Sequence, residues 1–96
     1  MELKEYLDKK YSKEEQLELT WLDCSNNNLT SLKGIEKLTN LTGLDCSNNN
    51  LTSLKGIENL TKLEWLKCDI KYENIEKEQK RLKIIRRKEI IKNILV

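Results

Sequence analysis

The chain has no histidine, no proline and no phenylalanine, and it carries three glycines and one methionine in 96 residues. Without histidine it lacks the side chain that most often serves as a general base near neutral pH, and also the commonest metal ligand. It shows no glycine-rich phosphate loop, no nucleophile elbow and no cluster of ligand residues at metal-binding spacing. The expectation is a protein that is not an enzyme and uses no cofactor. No segment approaches the ~18 consecutive apolar residues of a membrane span. The opening residues Met1 to Tyr6 lack the apolar run of a secretory signal. Three cysteines, an odd number, do not suggest a secreted disulfide framework. A cytoplasmic protein without membrane contact is the simplest reading.

Leucine and isoleucine dominate what remains. A chain this short buries only roughly 60–65% of its unfolded surface, so each core side chain counts. The core is expected to be branched aliphatic, which leaves two tryptophans and three tyrosines to explain. Charge is unevenly placed. Residues 1–70 carry nine basic and twelve acidic side chains, a net −3, whereas residues 71–96 carry nine and four, a net +5. Such asymmetry can mark an interaction tail or a nucleic-acid contact.

An internal repeat decides the fold. The stretch Leu22-Asp23-Cys24-Ser25-Asn26-Asn27-Asn28-Leu29-Thr30-Ser31-Leu32-Lys33-Gly34-Ile35-Glu36 returns unchanged as 44–58, a shift of 22 residues. A third turn begins at Leu63-Glu64-Trp65-Leu66-Lys67-Cys68 and then leaves the pattern. Around Trp21 to Ser25 the residues alternate as a short strand would, with Leu22 and Cys24 inward and Trp21, Asp23 and Ser25 outward. Leu29, Leu32, Ile35, Leu38 and Leu41 complete the interior, and Gly34 and Gly56 sit where the chain must turn sharply.

Read from Leu19, the pattern L-x-x-L-x-C-x-x-N-x-L resembles the leucine-rich repeat, and its Gly-Ile-Glu-x-Leu-Thr-x-Leu half is similar to the internalin-type subclass. The resemblance covers roughly residues 17–70. It implies an α/β solenoid: a minimal leucine-rich repeat with a short parallel sheet, strands near 20–25, 42–47 and 64–68, and a concave face that binds partners. It also implies that Asn27 and Asn49 form an asparagine ladder satisfying backbone groups in the turn; position 71 is Lys, so the ladder stops there.

So few coils need covers at both ends. Leu3, Tyr6 and Leu7 fall at helical spacing, and Ser12-Lys13-Glu14-Glu15 has capping-box form, so helices are expected near 2–10 and 13–17. Residues from 74 to about 95 lack Gly and Pro and read as one long helix. The expected organisation is a single domain, 1–96. It comprises an N-terminal helical cap (1–18), the repeats (19–70) and a C-terminal capping helix (71–96).

The outward strand positions are the foremost candidate for a binding site. Trp21, Gly43 and Trp65 fall in one row. With strands ~4.8 Å apart, the two indoles are expected about 10 Å apart across a bare glycine, as the walls of a slot. Trp at such a position is typical of a binding hot spot, unless a cap folds over it. Asp23, Asp45 and Lys67 form the next row, and Ser25, Ser47 and Asp69 the third. Two aspartates about 5 Å apart also match the carboxylate spacing of a retaining glycosidase, but nothing in the sequence suggests a pocket to raise one pKa, and solvated charge is the preferred reading. Cys24, Cys46 and Cys68 recur every 22 residues, at interior positions where a thiol acts as a small hydrophobe; with no histidine to complete a ligand set, no metal is expected.

The basic run Lys80, Arg81, Lys83, Arg86, Arg87 and Lys88 could meet nucleic acid or an acidic partner, yet its charges point all round a helix. Ile75, Leu82 and Ile85 form one apolar strip, and Ile84, Ile90, Ile91, Ile94 and Leu95 another. Capping with a solvated basic surface is the preferred reading. The function expected is protein–protein binding through Trp21, Asp23, Ser25, Asp45, Ser47, Trp65, Lys67 and Asp69, by a monomer or homodimer. Two alternatives stay open. In size and composition the chain is similar to small phage or mobile-element inhibitors of bacterial defence, including anti-CRISPR proteins, which would bring nucleic acid in through a partner complex. The other is direct nucleic-acid binding by the basic run.

Overall fold

The computed structural model describes residues 1–69 and 78–81. Two short helices lead the chain, α1 (Leu3–Lys10) and α2 (Lys13–Glu18), followed by three three-residue strands, β1 (Trp21–Asp23), β2 (Gly43–Asp45) and β3 (Trp65–Lys67). The strands form a parallel sheet in the order β1-β2-β3. Its register aligns residues 22 apart: Trp21 with Gly43 with Trp65, Leu22 with Leu44 with Leu66, Asp23 with Asp45 with Lys67. After each of the first two strands the chain passes through an asparagine-rich turn and an extended segment to a glycine, and a single turn of 3₁₀ helix follows, Ile35–Lys37 and Ile57–Asn59.

The strands are shorter than the alternation predicts, and local hydrogen bonding explains why. Asp23 Oδ1 accepts from the Ser25 backbone N–H and Asp45 Oδ1 from that of Ser47, so each aspartate closes a turn two residues on. Asn26 and Asn48 then take φ of 58° and 55°, the left-handed region that asparagine tolerates. Repeat-to-repeat bonding persists through these turns, with Cys24 N–H donating to Asp45 O at 2.8 Å and Asn26 N–H to Ser47 O at 3.1 Å.

Interior side chains stack in columns with a 22-residue period. Leu22, Leu44 and Leu66 form one, Cys24, Cys46 and Cys68 the next, and Leu29/Leu51, Leu32/Leu54, Ile35/Ile57, Leu38/Leu60 and Leu41/Leu63 the rest, all buried. Full burial of one such aliphatic side chain is worth about 1.5–3 kcal/mol. Gly56 shows how closely the repeats approach: its φ is +104°, and a β-carbon there would stand 2.8 Å from Ile35 Cγ2.

The helices at the front lie where the sequence predicts. Leu3 and Leu7 of α1 enter the core, and Tyr6 packs against it. The preceding residues run beside the first repeat, with Thr30 N–H donating to Met1 O and Leu3 N–H to Ser31 O. α2 begins with the reciprocal capping box, Ser12 N–H to Glu15 Oε1 at 2.8 Å and Glu15 N–H to Ser12 Oγ at 3.1 Å. At the back, residues 78–81 are helical. Lys71, the C-terminal helix expected from 74 to about 95 and its two apolar strips otherwise lie outside the described residues. Among the described residues, no helix is long and apolar enough to cross a membrane.

Candidate functional site on the strand face

The first row of the sheet departs from the expected slot. The Trp21 and Trp65 ring centroids are 4.8 Å apart and their planes are tilted by 34°. The Trp21 ring lies directly over Gly43, where a β-carbon would come within 1.9 Å of Trp21 Cε3. An open slot would leave both faces of each indole in water. Closing over the glycine removes apolar surface from water and adds an aromatic pair contact of about 0.5–1.5 kcal/mol. The result is an aromatic ridge in place of a slot. Among the described residues no cap covers it: Trp21 remains 51% exposed, and Trp65 is half-buried.

The second and third rows are coupled. Asp23 Oδ1 also accepts the Ser25 hydroxyl at 2.6 Å, and Asp45 Oδ1 the Ser47 hydroxyl at 2.7 Å. The serines, expected as open contacts, hold the aspartates in place. Ser47 is buried, because its backbone and hydroxyl both turn in toward Asp45. Asp69 Oδ1 takes the Asn48 N–H at 2.7 Å and so ties the third repeat to the second. Lys67 ends the second row beside Asp45. The hydroxyl and N–H of Ser25 hold the Asp23 carboxyl below the usual range, with smaller help from Lys10 and Lys67.

Tyr6, expected only as a helical-cap position, and Lys10, given no role by the sequence, border this face. The Tyr6 hydroxyl donates to Asp23 O at 3.2 Å, and Lys10 Nζ donates to the Tyr6 oxygen at 3.1 Å. The available signal was their i, i+4 spacing on α1, with Tyr6 offering an apolar ring and a polar tip.

Behind the sheet, Asn49 performs the ladder role. Its Oδ1 accepts from Asn27 N–H and Leu29 N–H, and its Nδ2 donates to the carbonyls of Cys24, Cys46 and Ser47. Among the described residues the Asn27 side chain donates only to Ser25 O. The cysteine column is unbridged and buried; burial pushes the Cys24 and Cys68 thiols up to about 12 and the Cys46 thiol well above its ordinary value.

The basic run is reached only at its start. Lys80 is exposed. Arg81, expected as a nucleic-acid or acidic-partner contact, is instead committed within the protein. Its guanidinium donates to Ser53 Oγ at 3.0 Å and to Glu78 Oε1 at 2.5 Å, with Nε 3.5 Å from Glu58 Oε2. Glu78 is fully buried, so a fixed positive partner is what its carboxylate requires. Lys83, Arg86, Arg87 and Lys88 lie outside the described residues.

Among the described residues, Asp23 and Asp45 line neither of two grooves, one of about 590 Å³ lined by Glu2, Ser31, Ser53 and Glu58 among others, and one near Lys4, Lys13 and Leu17.

The 22-residue register, the inward columns and the Asn49 bonding agree with comparison against known families: residues 18–59 match the family model for leucine-rich repeats in two copies. This segment is a pair of leucine-rich repeats. The strand face carrying Trp21, Asp23 and Asp45 therefore belongs to the repeat pair, and Trp65 and Lys67 extend it onto a third strand. No curated protein and no solved structure matches the chain.

Proposed function

We propose that the protein acts by binding a protein partner through the strand face of its repeats, without chemistry of its own. Leucine-rich repeats generally mediate protein–protein interaction. The observation that carries the reading here is the Trp21–Trp65 ridge. Every leucine and isoleucine of the repeat columns is buried, yet a large indole stands 51% exposed on this face. An exposed aromatic flanked by ordered polar groups is the composition of a binding hot spot. In this reading the chain is a single domain of internalin-type repeats forming a minimal solenoid. Residues 1–18 close one end and the C-terminal segment closes the other. The basic run has weaker support as a binding surface, because Arg81 is engaged with Glu58 and Glu78.

The test is affinity capture with the tagged protein from a bacterial lysate, with and without nuclease, beside the double variant Trp21→Ala/Trp65→Ala. A nuclease-resistant partner that the folded double variant fails to retain supports strand-face binding. Recovery that requires nucleic acid and survives both Trp changes rejects it in favour of the basic segment.

A further inference from the structure

The strand face carries a second kind of information beside its aromatic ridge. Asp23 and Asp45 occupy neighbouring strands in register, about 5 Å apart. Each spends Oδ1 on its own serine, N–H and hydroxyl together. Among the described residues, neither Oδ2 accepts a hydrogen bond. The serines thus fix two carboxylates in orientation while one oxygen of each remains for another donor. One row along the strands, about 7 Å away, stands the exposed Trp21 indole. Among the described residues, and counting Asp69, the face holds three carboxylates against the one ammonium of Lys67, while Lys10 at its margin is held by Tyr6. The face is therefore anionic beside an aromatic surface.

We propose that this face recognises an arginine side chain presented by a protein partner, its guanidinium lying on Trp21 and its N–H groups directed to Oδ2 of Asp23 and Asp45. This rests on the protein-binding reading above and specifies the partner's chemistry. Arginine fits better than lysine for two reasons. Its planar cation stacks on an indole, and its fork of donors can serve two fixed acceptors at once, whereas an ammonium is a compact and strongly hydrated point charge. An acidic or neutral segment would leave both carboxylates uncompensated. The pre-set orientation of Asp23 and Asp45 also lowers the ordering cost of capture.

The test is titration of the full chain with capped tetra-arginine, tetra-lysine and tetra-glutamate peptides, followed by tryptophan fluorescence and by the two indole N–H signals in NMR spectra. Tetra-arginine is expected to shift both indoles saturably and to bind about fivefold or more tighter than tetra-lysine, with no response to tetra-glutamate. The double variant Asp23→Asn/Asp45→Asn keeps an Oδ1 acceptor for each serine and should fold normally by circular dichroism, yet bind tetra-arginine about tenfold more weakly. Equal binding of the arginine and lysine peptides overturns the proposal, as does undiminished affinity in the Asn variant. Indole shifts that follow the protein's own concentration without peptide would also overturn it, by assigning the face to a second copy. If tetra-arginine fails while the Trp21→Ala/Trp65→Ala variant still loses its captured partner, arginine recognition falls and strand-face binding stands. If the Trp variant loses nothing, both fall.

Discussion

Trp21 and Gly43 are a matched pair: the indole of one occupies the space that any side chain on the other would fill. A Gly43→Ala substitution must therefore displace the ring and separate it from Trp65. The expected outcome is loss of the near-ultraviolet circular dichroism arising from the coupled indoles, with a destabilisation of about 1–3 kcal/mol in urea unfolding. An unchanged near-ultraviolet spectrum would show that the ring does not rest there.

Asn49 and Asn27 occupy equivalent positions but should differ in cost. Asn49 satisfies two backbone N–H groups and three carbonyls, whereas Asn27 reaches one carbonyl. Replacing Asn49 by Ala orphans groups shielded from water and is expected to cost about 2–4 kcal/mol; Asn27→Ala should cost about 1 kcal/mol or less. Urea denaturation of the two variants gives the ranking, and equal losses would contradict it.

The cysteines should be inert in the native state. Their pKa values lie above the ordinary 9.0, chiefly because burial disfavours the thiolate, at about 12 for Cys24 and Cys68. A thiol reagent at pH 8 is expected to label all three slowly, at a rate that rises with urea as the chain opens. The linkage has a definite sign. Because the folded pKa is raised, the thiols' contribution to stability is complete below about pH 9, and it is lost as pH rises from 9 towards 12. Alkaline unfolding accompanied by simultaneous thiol exposure would show this; rapid labelling at pH 8 would contradict it.

Arg81 should behave as a structural residue. Arg81→Ala leaves the Glu78 carboxylate buried without its cation, an expected loss of about 3 kcal/mol in thermal or urea unfolding. The double change Arg81→Met/Glu78→Leu, which removes both charges and keeps apolar bulk, should recover much of that loss. A single variant as stable as the parent would return Arg81 to the pool of surface charges.

Most of the fold could be read from one period. The return of Leu22–Glu36 as 44–58 dictates the parallel register, the buried columns and the position of Asn49, because each follows from stacking one turn of chain on its copy. The capping box at Ser12 and Glu15 was equally legible, since it is local in sequence. The site was legible in its membership and not in its geometry. Alternation places Trp21 and Trp65 on the same face, but nothing in the period sets the rotamer of an exposed indole, and surface burial drew the rings together. The Asp-x-Ser spacing at 23/25 and 45/47 did carry a turn signal that strand alternation overrode. Arg81 was beyond sequence reasoning, because its partners Ser53 and Glu58 lie far back along the chain.

Two adjacent repeats that share an unbroken fifteen-residue identity face a hazard during folding, since either could take the other's place. Over Leu19–Leu41 and its copy, only three positions differ: Trp21 against Gly43, Lys37 against Asn59, and Asn40 against Lys62. Two of the three are contacts between the copies themselves: Trp21 closes over Gly43, and Lys62 Nζ donates to Asn40 Oδ1 at 2.9 Å. Exchanging the two segments would leave an indole at the middle of the sheet with another against it, and an ammonium where the amide belongs. These mismatched positions act as a key that gives near-identical segments a fixed order, so the chain records which copy comes first in the places where the copies disagree.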